Sequence, residues 1–206
     1  MRKFLIISIL LALTSALPAQ QALFDFTKSY FRTDPLVTEF SVFLQHLMND
    51  PAIHNKEVQK RTDSTLFYFF GTYTDYNPFF FKPKRVEILL QQRPIDYRNS
   101  AKPDTIFVYQ LTAIADSGSN GEADVRKEFE RIHRRFNKKF DFSKFEAYSA
   151  DSATNGGLHH YFVGFSDVSP VSTAWGKLTG EYVLQITLRV KLYENRFVLA
   201  ASLYDF

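Results

Sequence analysis

Residues 181–193 read EYVLQITLRVKLY. Tyr182, Leu184, Ile186, Leu188, Val190 and Leu192 alternate with Val183, Gln185, Thr187, Arg189, Lys191 and Tyr193. A period of two marks a strand whose successive side chains point to opposite faces. Glu194-Asn195 can turn the chain, so that Phe197 to Tyr204 returns antiparallel. This stretch commits the C-terminal part of the chain to an antiparallel sheet.

Working outward from it, Ser166 to Gly180 reads as a polar loop carrying the sole tryptophan, Trp175. Leu158 to Phe165 reads as a strand after the turn Thr154-Asn155-Gly156-Gly157, and residues 143–150 as a shorter one. Ser117-Gly118-Ser119-Asn120-Gly121 is a breaker. It precedes a helix over 122–139, where Val125, Phe129, Ile132 and Phe136 step by four, three and four into one apolar stripe. Acidic residues open that helix and basic residues close it, which suits its dipole. Residues 65–76, 86–91 and 105–115 are rich in aromatic and β-forming residues and read as strands, with loops at 77–83 and 93–103. Asp34 is a good helix cap and Pro35 suits a first helical position. Leu36, Val37, Phe40, Phe43, Leu44, Leu47 and Met48 follow at helical spacing. Asp50-Pro51 ends this helix or kinks it into a second piece reaching Lys60. Residues 20–33 read as a short strand or an ordered arm. The expectation is an α+β fold: an antiparallel sheet of about six strands with two amphipathic helices packed on one face.

Residues 1–19, MRKFLIISILLALTSALPA, have the layout of a secretory signal peptide. Arg2 and Lys3 are the basic start, Phe4 to Leu13 the apolar run, and Thr14, Ser15, Ala16 and Ala19 the small residues near a cut. The apolar run is too short for a bilayer crossing. Cleavage after Ala19 leaves 20–206 as a single exported domain. Of 25 basic residues, 23 then remain against 22 acidic ones, a net charge of +1. That balance argues against a nucleic-acid partner. The absence of Cys excludes disulfides, thiolate metal sites and a thiol nucleophile. An exported protein resting on its core alone fits a bacterial periplasm or exterior better than a disulfide-rich secreted domain.

No pattern of catalytic residues stands out. His159-His160 is a conspicuous pair, but neighbours on a strand face opposite ways and do not readily share one ion. Glu130 and His133 lie one helical turn apart in a single copy, whereas carboxylate-bridged metal bundles use two. No metal site and no cofactor are expected. Gly164-Phe165-Ser166-Asp167 lacks the second glycine of a nucleophile elbow. A hydrolase would have to use His159 or His160 as base with Asp151 or Asp167 orienting it.

Two other features point to binding. Arg126, Lys127, Arg131, Arg134, Arg135, Lys138 and Lys139 cluster on the 122–139 helix, with Glu128 and Glu130 interspersed. The plain reading is a solvated helix face, and the functional one is contact with an anionic membrane surface or glycan. Phenylalanine is the second feature, with 22 residues. Phe79, Phe80 and Phe81, bounded by Pro78 and Pro83, cannot all point inward, so at least one ring is displayed or covers a neighbour. With Trp175 they are the candidate ligand-binding residues for an apolar, glycan or protein partner.

The chain as given ends in Phe206 with Tyr204 two before it, after an amphipathic strand. These roughly ten residues resemble the C-terminal signature of outer-membrane β-barrels, and an eight-stranded barrel would fit the length. The two amphipathic helices oppose that reading. The sequence therefore leads to an exported, non-enzymatic binding or interaction module, with an envelope hydrolase and a small membrane barrel as alternatives.

Overall fold

A computed structural model of the chain describes residues 24–60, 66–95, 104–116, 118–139, 144–151, 156–163, 171–193 and 196–199. Residues 1–19 with their signal-peptide layout, Asp167, and the C-terminal Tyr204 and Phe206 lie outside these. Three helices and nine strands are described. α1 covers 24–30, α2 Phe40–Asn49 and α3 Ser119–Lys139. The strands are β1 Ile53–Lys60, β2 Phe67–Tyr73, β3 Arg85–Ile95, β4 Asp104–Ile114, β5 Lys144–Asp151, β6 Gly156–Val163, β7 Val171–Leu178, β8 Glu181–Tyr193 and β9 Arg196–Leu199.

The strands join in one antiparallel sheet of order β1-β2-β3-β4-β8-β7-β6-β5, with β9 pairing the distal end of β8. The fold is α+β, as the sequence leads one to expect, with more strands than the six it suggests. The sheet is not closed into a barrel, and the membrane-barrel alternative requires closure. β8 is its spine. It pairs with β4 along one side, and with β7 and then β9 along the other. The β7–β8 hairpin turns through Thr179 and Gly180, both at positive φ (49° and 86°), the conformation a two-residue hairpin needs to match strand twist.

Alternation along the strands separates two faces. One carries Phe69, Ile88, Leu90, Tyr109, Leu111, Leu184, Ile186 and Leu188. These form a single core with Phe26 and Tyr30 of α1, Phe43 and Leu47 of α2, and Val125, Phe129 and Ile132 of α3. Aromatic rings fill the seam: Phe40 meets Phe107 at 4.4 Å and Phe43 meets Tyr109 edge-on at 4.9 Å. All three helices thus cover one face. The other face buries Ile106, Val108, Ile114 and Val183 together with Thr112, Ser172 and Thr187. There Gln110 accepts from Thr187 and donates to Thr112, both at 3.3 Å.

Several local readings change. Residues 24–30 are helical rather than a strand or arm, and the i, i+4 pair Phe26 and Tyr30 faces the core. Asp34 does cap, accepting from Leu36 N at 3.0 Å, but it closes a turn at 35–37, and α2 starts only at Phe40. Val37 is accordingly exposed. Pro51 ends α2 and leads into β1, so no second helical piece forms. β1 is a polar edge strand whose pairing shifts between His54 and Glu57, with Asn55 at φ 51°. Such irregularity blunts an open edge. β3 runs past Arg93 to Ile95. Its Pro94 is tolerated because β2 pairs only as far as Gln92, leaving that flank without a ladder bond to lose. Residues 171–178, read as loop, form strand β7.

Candidate functional site

The residues singled out from sequence fall into two places. The first lies between the β2–β3 loop and α3. Asn77 fixes the loop by accepting from Phe79 N at 2.9 Å and donating to Phe81 O at 2.8 Å. This is a local side-chain-to-backbone clamp of the kind Asn makes in turns. With the backbone so folded, the three rings separate. Phe79 is buried against Tyr30 at 5.8 Å and Phe81 at 5.9 Å. Phe81 is half-buried on the core. Phe80 stands out from the tip, 81% exposed.

Beneath Phe80 lies Arg131 of α3, its guanidinium carbon 4.1 Å from the ring centroid. Arg131 is held from the other side. Its Nε and Nη2 donate to the two carboxylate oxygens of Glu128 at 2.8 and 2.6 Å, and Nη2 also donates to the Tyr30 hydroxyl at 2.6 Å. Glu128 is buried, so this is a fork-to-carboxylate pair in low dielectric, the strong form of the interaction. The bond to Glu128 pushes the guanidinium pKa above its ordinary value, so the charge is permanent. Burial drives the Tyr30 phenol up to about 12.

A surface depression of about 370 Å³ opens beside this stack, lined by Phe80, Phe81, Lys82, Asp124, Lys127, Glu128, Arg131 and Arg134. Four cations and two carboxylates line it, leaving a surplus of two positive charges. Among the described residues, Lys82, Lys127 and Arg134 make no ion pair. Lys127, Arg131 and Arg134 follow at i, i+4 and i+7 on α3, which places them on one helix face. Phe80 from the loop and Arg131 and Arg134 from the helix, selected separately from sequence, thus come together. Lys127 belongs to the same basic run of the helix, and Lys82 is an addition. The only signal for Lys82 was its place directly after the aromatic run.

Two other basic residues of the helix, Arg135 and Lys138, differ from these. Arg135 is structural. It donates to Ser29 Oγ at 2.9 Å and Asp25 O at 3.4 Å and lies over Phe26, tying α1 to α3. Lys138 falls within α3, but its side chain lies outside the described residues.

The second place holds Trp175 and His159. Trp175 is not on a loop. It sits in β7 on the helix-covered face, 6.2 Å from Phe129, and His159 of β6 stacks on it at 4.9 Å with planes 15° apart. Trp175 is therefore a core-packing ring. His160 holds the next ladder position, opposite Ala174. Asp151 ends β5, paired with Gly156. His133 packs against Phe129 at 6.0 Å. Among the described residues, no three of His, Cys, Asp and Glu gather to hold a metal ion.

Two further depressions differ in character. One, of about 240 Å³, lies on the helix-free sheet face, where Arg85 contacts Glu87 at 2.7 Å and Glu181 at 2.9 Å and Lys84 contacts Glu181 at 2.8 Å. The hydrogen bond from Lys84 leads in holding the Glu181 carboxyl below its usual range. These charges satisfy one another. The other, about 380 Å³, brings His46 near Asp50, but that carboxylate is taken by Arg32 at 3.0 Å and by Ala52 N at 2.9 Å.

Comparison of the chain with protein-family models, with curated proteins and with solved structures returns no match.

Proposed function

We propose that the chain is an exported binding module of the cell envelope, without chemistry of its own, that takes an anionic ligand at the Phe80–Arg131 depression. One observation carries this reading: an exposed phenylalanine ring is fixed on a buried-anchored guanidinium, and Lys82, Lys127 and Arg134 around it make no ion pair among the described residues. An apolar ring left in water forgoes about 2 kcal/mol of burial, and three unpaired cations on one small surface repel one another. Both deficits are relieved by a ligand that is negatively charged and offers an apolar face. The internally neutralised depression on the open sheet face has no such unmet demand.

The test is retention of the protein on immobilised sulfated polysaccharide and in anionic detergent micelles, at rising salt. Wild type should bind at least one of these and be released as salt screens the cations. The K82E/K127E/R134E variant should lose that retention with its fold intact by circular dichroism. Equal retention by wild type and the variant rejects this site.

A further inference from the structure

We infer that the ligand is a lipid bilayer: Phe80 enters the interface of an anionic membrane while Lys82, Lys127 and Arg134 engage its headgroup phosphates. This rests on the binding reading above and names its ligand class.

The shape of the site makes the distinction. Pockets for small ligands enclose most of the ligand's surface. Here the central apolar group does the reverse and protrudes, 81% exposed at the tip of its loop. A soluble glycan can cover one face of a protruding ring by stacking on it, but it has no apolar interior to receive the whole ring. A bilayer has an apolar interior directly beneath an anionic surface.

Rigidity supports the same conclusion. The two hydrogen bonds of Asn77 and the inward anchoring of Phe79 and Phe81 prevent the tip from folding back. The display of Phe80 is thus built in before any ligand arrives, and little ordering entropy is lost on docking. Arg131 occupies one face of the ring, leaving the other for the acyl boundary.

The cations are placed for a surface. Lys82 follows the tip on the loop. Lys127 and Arg134 stand on either side of Arg131 along α3, separated by about 10 Å of helix axis at 1.5 Å per residue. Interfacial binders combine a buried apolar group with cations at headgroup level, and each signal alone gives only marginal attachment. One ring and three cations make a reversible, salt-sensitive contact rather than a permanent anchor.

The test is co-sedimentation with phosphatidylcholine vesicles, with and without phosphatidylglycerol. It uses the whole chain and the chain starting at Gln20, so that the apolar leader is controlled. Soluble arms use glycerol phosphate and sulfated polysaccharide. Vesicles containing phosphatidylglycerol should bind the protein and pure phosphatidylcholine should not. F80A should weaken partitioning about tenfold, F80W should preserve it, and K82E/K127E/R134E should abolish it. Emission from the tryptophan of F80W, after subtraction of the wild-type Trp175 signal, should shift to the blue on anionic vesicles. Binding to the soluble anions that needs the three cations, with no emission shift on vesicles, overturns the membrane inference and keeps the anion-binding reading. Absence of binding to any arm overturns both.

Discussion

Arg131 and Tyr30, 101 residues apart in sequence, are joined by a 2.6 Å hydrogen bond from guanidinium to phenol oxygen, while the same nitrogen is held at 2.6 Å by Glu128. This small network ties α1 to α3 and supports the ring of Phe80. Its members are unequally buried: the side chain of Glu128 is 3% exposed and that of Arg131 is 30% exposed. Removing either partner should therefore have unequal effects. Arg131→Ala strands a buried carboxylate and should cost about 3 kcal/mol. Glu128→Ala leaves a guanidinium that can turn to water and should cost about 1 kcal/mol. Urea denaturation of both variants decides the point. Equal losses would mean that Glu128 reaches solvent once unpaired.

Burial also sets the alkaline limit of the fold. It pushes the phenols of Tyr30 and Tyr76 up to about 12 and raises Tyr73 and Tyr109 as well. In the unfolded chain a phenol ionises near pH 10, at about its reference value. Below that pH both states keep the proton and the contribution is whole. As pH rises from about 10 through 12, the unfolded chain releases protons that the folded chain retains, and stability falls. The melting temperature should stay level up to about pH 10 and then decline. A decline beginning well below that pH would need another group as its cause.

Tyr109 contributes to that decline and gains nothing evident in exchange. It is fully buried, and its hydroxyl has no hydrogen-bond partner among the described residues. Tyr109→Phe keeps the edge-on contact with Phe43 and removes an unsatisfied polar group. It should stabilise the protein by about 1 kcal/mol and soften the alkaline loss. A destabilised variant would show that the hydroxyl has a partner after all.

Gly176 lets two strands approach. Its φ is +153°, and a Cβ there would run into the carbonyl oxygen of Gly157 on β6. Gly176→Ala must push β6 and β7 apart or distort the ladder. A loss of about 2–3 kcal/mol is expected, read as a lowered melting temperature with a changed environment for nearby Trp175. Wild-type stability in this variant would mean that the β6–β7 spacing is looser than described.

Elements with a clear period were legible from sequence. The alternation of 181–193 is β8, and the stripe Val125, Phe129, Ile132 is the buried side of α3. Elements whose pattern is set by their neighbours were not. β7 is buried on both faces and made largely of small residues, so Ser172, Thr173, Ala174 and Gly176 looked like a polar loop. β1 is an exposed edge and shows almost no apolar alternation. α1 shows only seven described residues, too few for Phe26 and Tyr30 to establish a period. The same limits governed the site. Composition marked the Phe79–Phe81 run and the basic helix separately. Only the packing of the loop beside α3 reveals that Phe80 and Arg131 share one surface and that Trp175 does not belong to it.

The long strand β8 has one more consequence. β1–β4 form one ribbon and β5–β7 another, and no described ladder joins them except through β8. The joining contacts are distant in sequence: Thr187 reaches Gln110 across 77 residues. A chain made or threaded from its N-terminus therefore presents two incomplete half-sheets until residues 181–193 arrive. Closing so long a loop is slow, and the final architecture is assembled late, by one keystone segment acting on both halves at once.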